Sequence, residues 1–535
     1  MLKIQNIKYR IEKSSNKVTY DDLINYLYSH ISKKYQPKNL RNITLIKKSI
    51  DARTKELYYV LHATFNADNE EKLLKNKNIS KYIIPEELTF LKNLTPSKKN
   101  KNHVLVVGMG PSGLFNAYVL SKAGYDVTLI DRGTKIEERV KDVNEFFETG
   151  ILKSNSNIQF GEGGAGTFSD GKLGTNASSA YINYVLETFV QFGAPENILY
   201  EAKPHIGTDI LRIVIINMRT YLISNNVKVL FKTKLIDFDE KSAVVLSDEE
   251  KYKIPYDKLI LAVGHSAIDI YELLKQKQIC MSPKNFAVGV RIEHLQKDIN
   301  KALYHDDYPN LDPAEYKLVV HLKNRSVYTF CMCPGGMVVN ASSEDGALVV
   351  NGMSNNDRCE KNANSAVLVN VNIDDYYQGD ILDGAKFLKK YEQLAYQKYG
   401  KFTVPIQLVK DFLSDTPSTS LGSITPSVKP KYKLGTINDI LPDFVTSSLK
   451  EALPLLNQKL SGFAFGDAVL SAIETRSSAP IRVERNEAFA TNYPNVYAIG
   501  EGAGHAGGIT TSAIDGIKVA VEIIKNERGI KWVKK

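Results

Sequence analysis

The chain has 535 residues, 43% hydrophobic and 24% charged, the balance of a globular protein with room for two to four domains. No run of about 18 apolar residues occurs, so no membrane span is expected, and the start, Met1-Leu2-Lys3-Ile4-Gln5-Asn6, lacks the apolar stretch of a secretory signal. Four cysteines are too few for a disulfide scaffold and, with that start, point to a reducing, cytoplasmic setting.

The formal charge of +9 is unevenly placed: residues 1–101 carry 21 Lys/Arg against 10 Asp/Glu, and the remainder 48 against 50. This asymmetry is compatible with a nucleic-acid or acidic partner; a solvated, Lys/Asn/Ile-rich surface is the simpler account. Residues 1–95 read as a small α/β domain. Ile4 to Ile11 alternates as a strand, and Tyr20 to Ile31 has helical spacing, with Leu23, Tyr26, Leu27 and Ile31 on one stripe. Strands follow near Ile43 to Ile50 and Leu57 to Phe65, a βαββ order that fits a ferredoxin-like module. Residues 92–102 lack apolar periodicity and read as a linker.

His103-Val104-Leu105-Val106-Val107 has the length and β-branched content of a strand buried on both faces. It runs into Gly108-Met109-Gly110-Pro111-Ser112-Gly113, a G-x-G-x-x-G turn opening a helix to about Ala123. Gly108 permits the turn, Gly110 lets backbone approach a pyrophosphate, and Gly113 lets the helix pack on the strand, with its first-turn amides facing the phosphates. A second strand, Asp126 to Ile130, ends in Asp131-Arg132, and Asp131 stands 18 residues past Gly113, where an acid accepts ribose hydroxyls. The Asp131 charge disfavours a 2′-phosphate, an effect Arg132 softens. The pattern predicts a dinucleotide site in a first nucleotide-binding part spanning 102–265.

Later segments point to FAD rather than NAD. Phe160 to Leu173 is a second glycine-rich loop in which Gly163, Gly164, Thr167, Ser169, Gly171, Lys172 and Leu173 are candidates to lie against the cofactor. Short strands between 227 and 263 end in Ala262-Val263-Gly264-His265, where the chain turns toward a substrate domain over 266–460. Within that domain, the polar stretch Ser342 to Asn364 reads as a loop or lid. Near the C-terminus a strand ends at Gly500, and Glu501 is placed to bond ribityl hydroxyls. Gly507, Gly508 and Ile509 open a helix whose dipole favours negative charge on a reduced flavin by roughly 1–2 kcal/mol. Residues 461–530 are thus read as the C-terminal part of the same FAD-binding domain. The fold class expected is α/β, a discontinuous Rossmann-type FAD-binding domain with an inserted α+β substrate domain.

With these segments assembled, the chain resembles FAD-dependent dehydrogenases whose nucleotide domain is split across the sequence, and more narrowly a family of uncharacterised bacterial members. The resemblance rests on Gly161 to Leu173, on Phe330-Cys331-Met332-Cys333-Pro334-Gly335-Gly336, on Glu474 to Arg482, on the final glycine-rich run and on Ser49 to Arg53. It implies FAD and the fold, and leaves the substrate open. Glu501 departs from the Asp more usual there.

Candidates for chemistry are Cys331 and Cys333, as a redox pair or as small residues in a strand and turn. Arg476 and Arg482 could clamp an anionic small-molecule substrate or serve as interdomain ion pairs. His505, ahead of His265 and His294, is a proton-donor candidate. The Cys-x-Cys pair lacks companion ligands, so no metal is expected. No second glycine fingerprint lies in 200–460, so NAD(P)H would act only as a transient donor. The reading that follows is an FAD-dependent dehydrogenase or reductase of a small molecule; the alternative is an RNA-modifying flavoprotein using the basic N-terminal domain. Nothing in the sequence sets the oligomeric state.

Overall fold

The apolar run His103–Val107 sends Val104 and Val106 to one side and Leu105 and Val107 to the other, and both sides are covered. In the computed structural model, which describes residues 1–13, 16–97, 102–306 and 308–530, this strand is the centre of a five-stranded sheet. The order is Val496–Ala498, Lys258–Leu261, His103–Val107, Asp126–Ile130, Lys228–Leu230, and every pairing is parallel. The edge strand Val496–Ala498 comes from the far end of the chain, so the sheet is discontinuous, as expected. Helices Pro111–Lys122, Tyr181–Gln191, Gly207–Ser224 and Ile509–Arg528 share the core of one face. The other face lies under helix Ile268–Gln276 and an antiparallel meander, Thr233–Phe238, Ser242–Ser247 and Glu250–Pro255.

The chain between these parts builds a seven-stranded sheet centred on Phe286–Leu295. Asn362–Val371, Ser326–Cys333 and Val319–His321 extend one side, and Val469–Glu474, Thr403–Leu408 and Lys431–Leu434 the other. Only the last pair is parallel. Helix Asp443–Lys459 packs Leu449, Ala452, Leu453 and Leu456 into the same core as Val288, Val290 and Val367.

Three expectations are corrected. Val469–Glu474, placed by sequence in the C-terminal FAD-binding part beginning at 461, is fully buried and pairs in the insert's sheet. Helix Glu86–Lys92 puts Leu88 and Leu91 into the core of the parallel-sheet unit rather than that of residues 1–95. The stretch Ser342 to Asn364 is no lid: it contains strand Val350–Met353, enters strand Asn362–Val371, and buries Ser342, Ser343, Ser354 and Arg358. In each case tertiary packing decided what the local sequence could not. The Lys98 to Lys101 part of the expected linker lies outside the described residues.

At the N-terminus the expected strand–helix–strand–strand run is present: Leu2–Arg10, Tyr20–Tyr35, Arg41–Asp51 and Tyr58–Asn66. Thr19 and Asp22 form a capping box at the helix start. A fourth strand, Ile79–Lys81, which the sequence did not reveal, gives an antiparallel sheet of order Arg41–Asp51, Tyr58–Asn66, Leu2–Arg10, Ile79–Lys81. Lys48 straps this unit to the loop at 200–202: its amide donates to the Tyr200 carbonyl at 2.6 Å, and its ammonium lies 2.6 Å from Glu201. Among the described residues no helix is long and apolar enough to cross a membrane.

The first and last helices of the parallel-sheet unit meet at Gly516, whose carbonyl accepts from Asn116 Nδ2 at 2.9 Å. A Cβ there would stand 2.1 Å from the Ser112 carbonyl oxygen. Gly516→Ala should therefore destabilise the protein by about 1–3 kcal/mol through overpacking, read as a lower denaturation midpoint; an unchanged midpoint would contradict this packing.

Candidate cofactor site

A cavity of about 780 Å³ opens between the C-terminal ends of the parallel strands and the insert's sheet, within the size range of ligand sites. Gly108, Gly110, Pro111, Ser112, Asp131, Arg132, Gly164, Ser169, Lys172, Gly264, Glu501, Gly507, Gly508 and Ile509 all line it. Three glycine-rich turns separated in sequence therefore meet in one place. Gly113, Gly163, Thr167, Gly171, Leu173 and Gly500, also expected at the cofactor, stand behind the wall instead. Gly113 packs on the Gly108 carbonyl, as its helix-packing role requires. Thr167 is fully buried, its hydroxyl donating to the Glu162 carbonyl at 3.3 Å. The Gly163 amide donates to the Met109 carbonyl at 2.8 Å, and the Gly500 amide to Asp515 at 2.7 Å. Gly171 packs against Gly207, and the Leu173 carbonyl accepts the Thr510 hydroxyl at 2.7 Å.

The second glycine loop is held by a residue the sequence reading passed over. Arg139, fully buried on helix Ile136–Thr149, donates to the carbonyls of Asn157, Ile158, Gly161, Glu162 and Gly164 at 2.6–3.3 Å. The helix start in turn is held by the loop, since Glu162 Oε2 accepts from the Ile136 amide at 2.8 Å. Gly164 has φ +65°, and a Cβ on it would lie 3.0 Å from the Gly110 Cα. Two backbones thus approach with no side chain between them, leaving a cradle of the kind a pyrophosphate fills. The first turns of helices Pro111–Lys122 and Ile509–Arg528 also line the cavity, and first-turn amides have no partner within their own helix.

The charges follow from burial. Asp131 spends one oxygen on the Met109 amide and the other on the Gly133 amide, each at 2.8 Å. Arg132 stacks on Phe160 and is paired with Asp269 at 2.9 Å, so it is not a free donor to a phosphate. Burial raises the Glu501 carboxyl to about 7, against the opposing pull of Lys284. His265 Nδ1 stands 3.8 Å from Glu501; burial, with Arg476 nearby, lowers His265 to about 4, so the ring is neutral at pH 7. The residue borders the cavity, while its Nε2 is buried without a hydrogen-bond partner.

The catalytic candidates divide. Arg476 reaches the cavity, but its guanidinium grips the buried Glu392 in a fork at 2.8 and 2.9 Å, the ion-pair alternative rather than an anion clamp. Arg482 is exposed on strand Ile481–Val483 and lies outside the lining. His505 also lies outside it, its Nε2 held 2.8 Å from the Val483 carbonyl. His294 is buried between the Phe463 carbonyl and the Tyr316 hydroxyl. Cys331 lines the cavity, with Cys333 buried behind it. Sequence reasoning missed Arg291, which is fully buried and forks onto Glu474 at 2.7 and 2.8 Å beside both cysteines. Nor did it reveal the charge quartet in which Asp170 meets Lys172 and Arg358, and Glu315 meets the same two cations. Asp170, between Ser169 and Gly171, was the one visible clue. Among the described residues no group of three or more His, Cys, Asp or Glu is placed to hold a metal.

Gly164→Ala should cost about 1–2 kcal/mol in backbone strain and push the two loops apart, weakening FAD retention by roughly tenfold or more; gel filtration followed by flavin absorbance reads the outcome, and full retention would contradict the cradle. The Glu501 shift carries a sign. Its folded-state proton is held more tightly than in the unfolded chain, so burial costs nothing below about pH 4.5 and destabilises increasingly as pH rises toward 7. Cofactor-free protein carrying Glu501→Gln should lose part of the wild-type decline in melting temperature across that window, while parallel curves would show that Glu501 is not the group responsible.

Family models match three parts of the chain: an FAD binding domain over residues 101–141, an FAD-dependent protein C-terminal domain-like model over 285–477, and a domain of unknown function over 1–66. An uncharacterized protein of Clostridium beijerinckii is 40% identical over 518 residues, covering 95% of this chain and 97% of its own. Among solved structures, CtdE in complex with FAD and a substrate aligns at TM-score 0.35 and 10% identity over 80% of this chain and 82% of that one. A geranylgeranyl bacteriochlorophyll reductase-like protein of Thermoplasma acidophilum aligns at TM-score 0.35 and 11% identity, covering 81% and 80%. Scores this low say nothing of activity. The relative and the matched FAD domains do settle the family: the chain is an FAD-binding flavoprotein and belongs to the family of FAD-dependent proteins that includes the Clostridium beijerinckii relative.

Proposed function

We propose that the chain is an FAD-dependent oxidoreductase, a dehydrogenase or reductase passing hydride between flavin and a small organic substrate. The observation that carries this reading is the single cavity shared by both glycine loops, the C-terminal helix start and the insert. Bound FAD supplies the two-electron chemistry. The chain's own residues supply the rest. Gly110, Gly164 and the first turn of helix Pro111–Lys122 suit the pyrophosphate, Asp131 the adenosine ribose, and Glu501 the ribityl chain. The N-terminus of helix Ile509–Arg528 suits negative charge at the flavin ring.

The cavity continues past these groups to Gly174–Ala177, Lys203, Lys317, Thr329 and Phe330, a natural place for the substrate. Lys203 and Lys317 are exposed there and replace Arg476 and Arg482 as the cations facing an anionic substrate. Glu501, titrating near 7, is the proton-exchanging group the geometry favours over His505. NAD(P)H remains the transient donor in this reading.

The sheet orders also support a revised division of the chain. Residues 1–81 form a ferredoxin-like module, the order Ile79–Lys81, Leu2–Arg10, Tyr58–Asn66, Arg41–Asp51 being that of a split β-α-β fold. Residues 102–280 and the segment after 477 form the FAD-binding unit in this division, helix Ile268–Gln276 packing on the parallel sheet, with 281–477 as the substrate domain. Anaerobic mixing of the yellow protein with NADH, NADPH and a panel of small metabolites should bleach the flavin band with at least one donor. Flavin that dithionite reduces but no biological donor does would leave a non-catalytic FAD-binding protein instead.

A further inference from the structure

Strand Ser326–Cys333 loses register with Asn362–Val371 between Phe330 and Cys333. In that gap Cys331 takes a left-handed backbone, φ +43°, which costs a non-glycine residue of order 1 kcal/mol or more and clusters at functional sites. The result is directional: Cys331 lines the cavity, while Cys333 is fully buried behind it. The Cys333 Sγ curls back to within 3.4 Å of the Cys331 carbonyl oxygen. A Cys-x-Cys step spans at most about 7 Å between Cα atoms, so chain length alone does not hold the two residues beyond disulfide reach.

Charge around the pair is also directional. The guanidinium of Arg291 lies 3.1 Å from the Cys331 carbonyl and 4.0 Å from the Cys333 sulfur. The neighbouring Cys333, then Arg291 and Lys172, pull the Cys331 thiol down to about 7, while Cys331 and burial push Cys333 well up. The chain's other cysteines lack this setting: Cys280 and Cys359 are exposed, and neighbouring acids raise the Cys359 thiol.

We propose that Cys331 and Cys333 are a redox-active dithiol opening on the cofactor cavity, which exchanges with small disulfides, Cys331 attacking and Cys333 resolving. The Cys331 thiolate attacks one sulfur of R–S–S–R, forming Cys331–S–S–R and releasing R–S⁻. Cys333 then attacks the Cys331 sulfur, its proton passing to the second R–S⁻, which leaves as R–SH as the Cys331–Cys333 disulfide forms. The small disulfide gains two electrons, and the cysteine pair loses two. Reopening the pair takes a hydride equivalent and a proton, which reduced flavin in the same cavity can supply on returning to its oxidised form; only this closing half rests on the oxidoreductase reading.

The test uses holoprotein carrying Cys280→Ser and Cys359→Ser, treated anaerobically with 2-hydroxyethyl disulfide and peptide-mapped by mass spectrometry. The 331–333 peptide should lose two hydrogens as a disulfide, with two mercaptoethanol molecules released per chain. Adding Cys333→Ser should stop the reaction at a mixed disulfide on Cys331, and adding Cys331→Ser should slow it more than about tenfold. Free thiols at both positions after treatment, or a mixed disulfide on Cys333 with Cys331 free, would overturn the proposal, and both readings need substitutions only at the exposed Cys280 and Cys359. Anaerobic dithionite titration of the oxidised holoprotein then separates the halves. Four electrons per chain before the flavin band is fully bleached support closure through flavin. Two electrons, with the disulfide intact beside reduced flavin, overturn that closure while the exchange stands.

Discussion

Five backbone carbonyls of one loop converge on the guanidinium of Arg139, and the site is built outward from there. A loop as rich in glycine as 160–171 loses much conformational entropy on ordering, and its inward-facing carbonyls must find donors or stay buried unpaired. Arginine answers both needs, because its planar fork presents five N–H donors in fixed directions and cannot lose its charge. The anchoring is mutual: Arg139 on helix Ile136–Thr149 shapes the loop, and Glu162 of the loop accepts from that helix's first amide and from Arg219. The Gly163 amide then ties the loop to Met109 in the first glycine turn. The close approach of Gly164 to Gly110 is the outcome of these bonds, so the cradle is set before any ligand arrives.

The same electrostatic rule accounts for the cations that do not face a ligand. A charge taken out of water needs a partner, and Arg132, Arg291 and Arg476 each find one in Asp269, Glu474 and Glu392. Lys172 and Arg358 share Asp170 and Glu315. The interior of the cavity is therefore close to charge-balanced, and the unbalanced positive groups, Lys203 and Lys317, stand at its exposed end.

What the sequence made legible was local. The strand–turn–helix at 103–122, the acid closing Asp126–Ile130 and the glycine helix start at 507–509 are each specified by residues a few positions apart, where turn chemistry and periodicity act. What stayed hidden was set by residues far apart in the chain. Arg476 looked like a substrate clamp because Glu392 is 84 positions away, and Arg291 went unnoticed because Glu474 is 183 away. Val469–Glu474 read as part of the nucleotide unit because a buried strand's sequence does not name its neighbours; Phe286–Leu295 and Thr403–Leu408 claim it only in three dimensions. Fourteen expected cofactor residues line the cavity, whereas Gly163, Thr167, Gly171 and Leu173 shape it from behind, a distinction that motif spacing alone does not carry.

The placement of the two sheets argues for a fixed cavity over one assembled by closure. The chain enters the insert through Met281–Pro283 and leaves it through Ile481–Val483, and these two crossings pair antiparallel as a ribbon. A hinge between domains usually runs through connections free to change their backbone angles, whereas here both connections are hydrogen-bonded to each other. The exit strand Val469–Glu474 delivers Glu474 to Arg291, and two residues later Arg476 to Glu392, before the chain reaches the ribbon. Ion pairs and ribbon together fix the insert's face, with Cys331, Phe330 and Asn351, opposite the glycine turns. That fixed face and the exposed Lys203 and Lys317 together bound the part of the cavity that lies beyond the glycine turns.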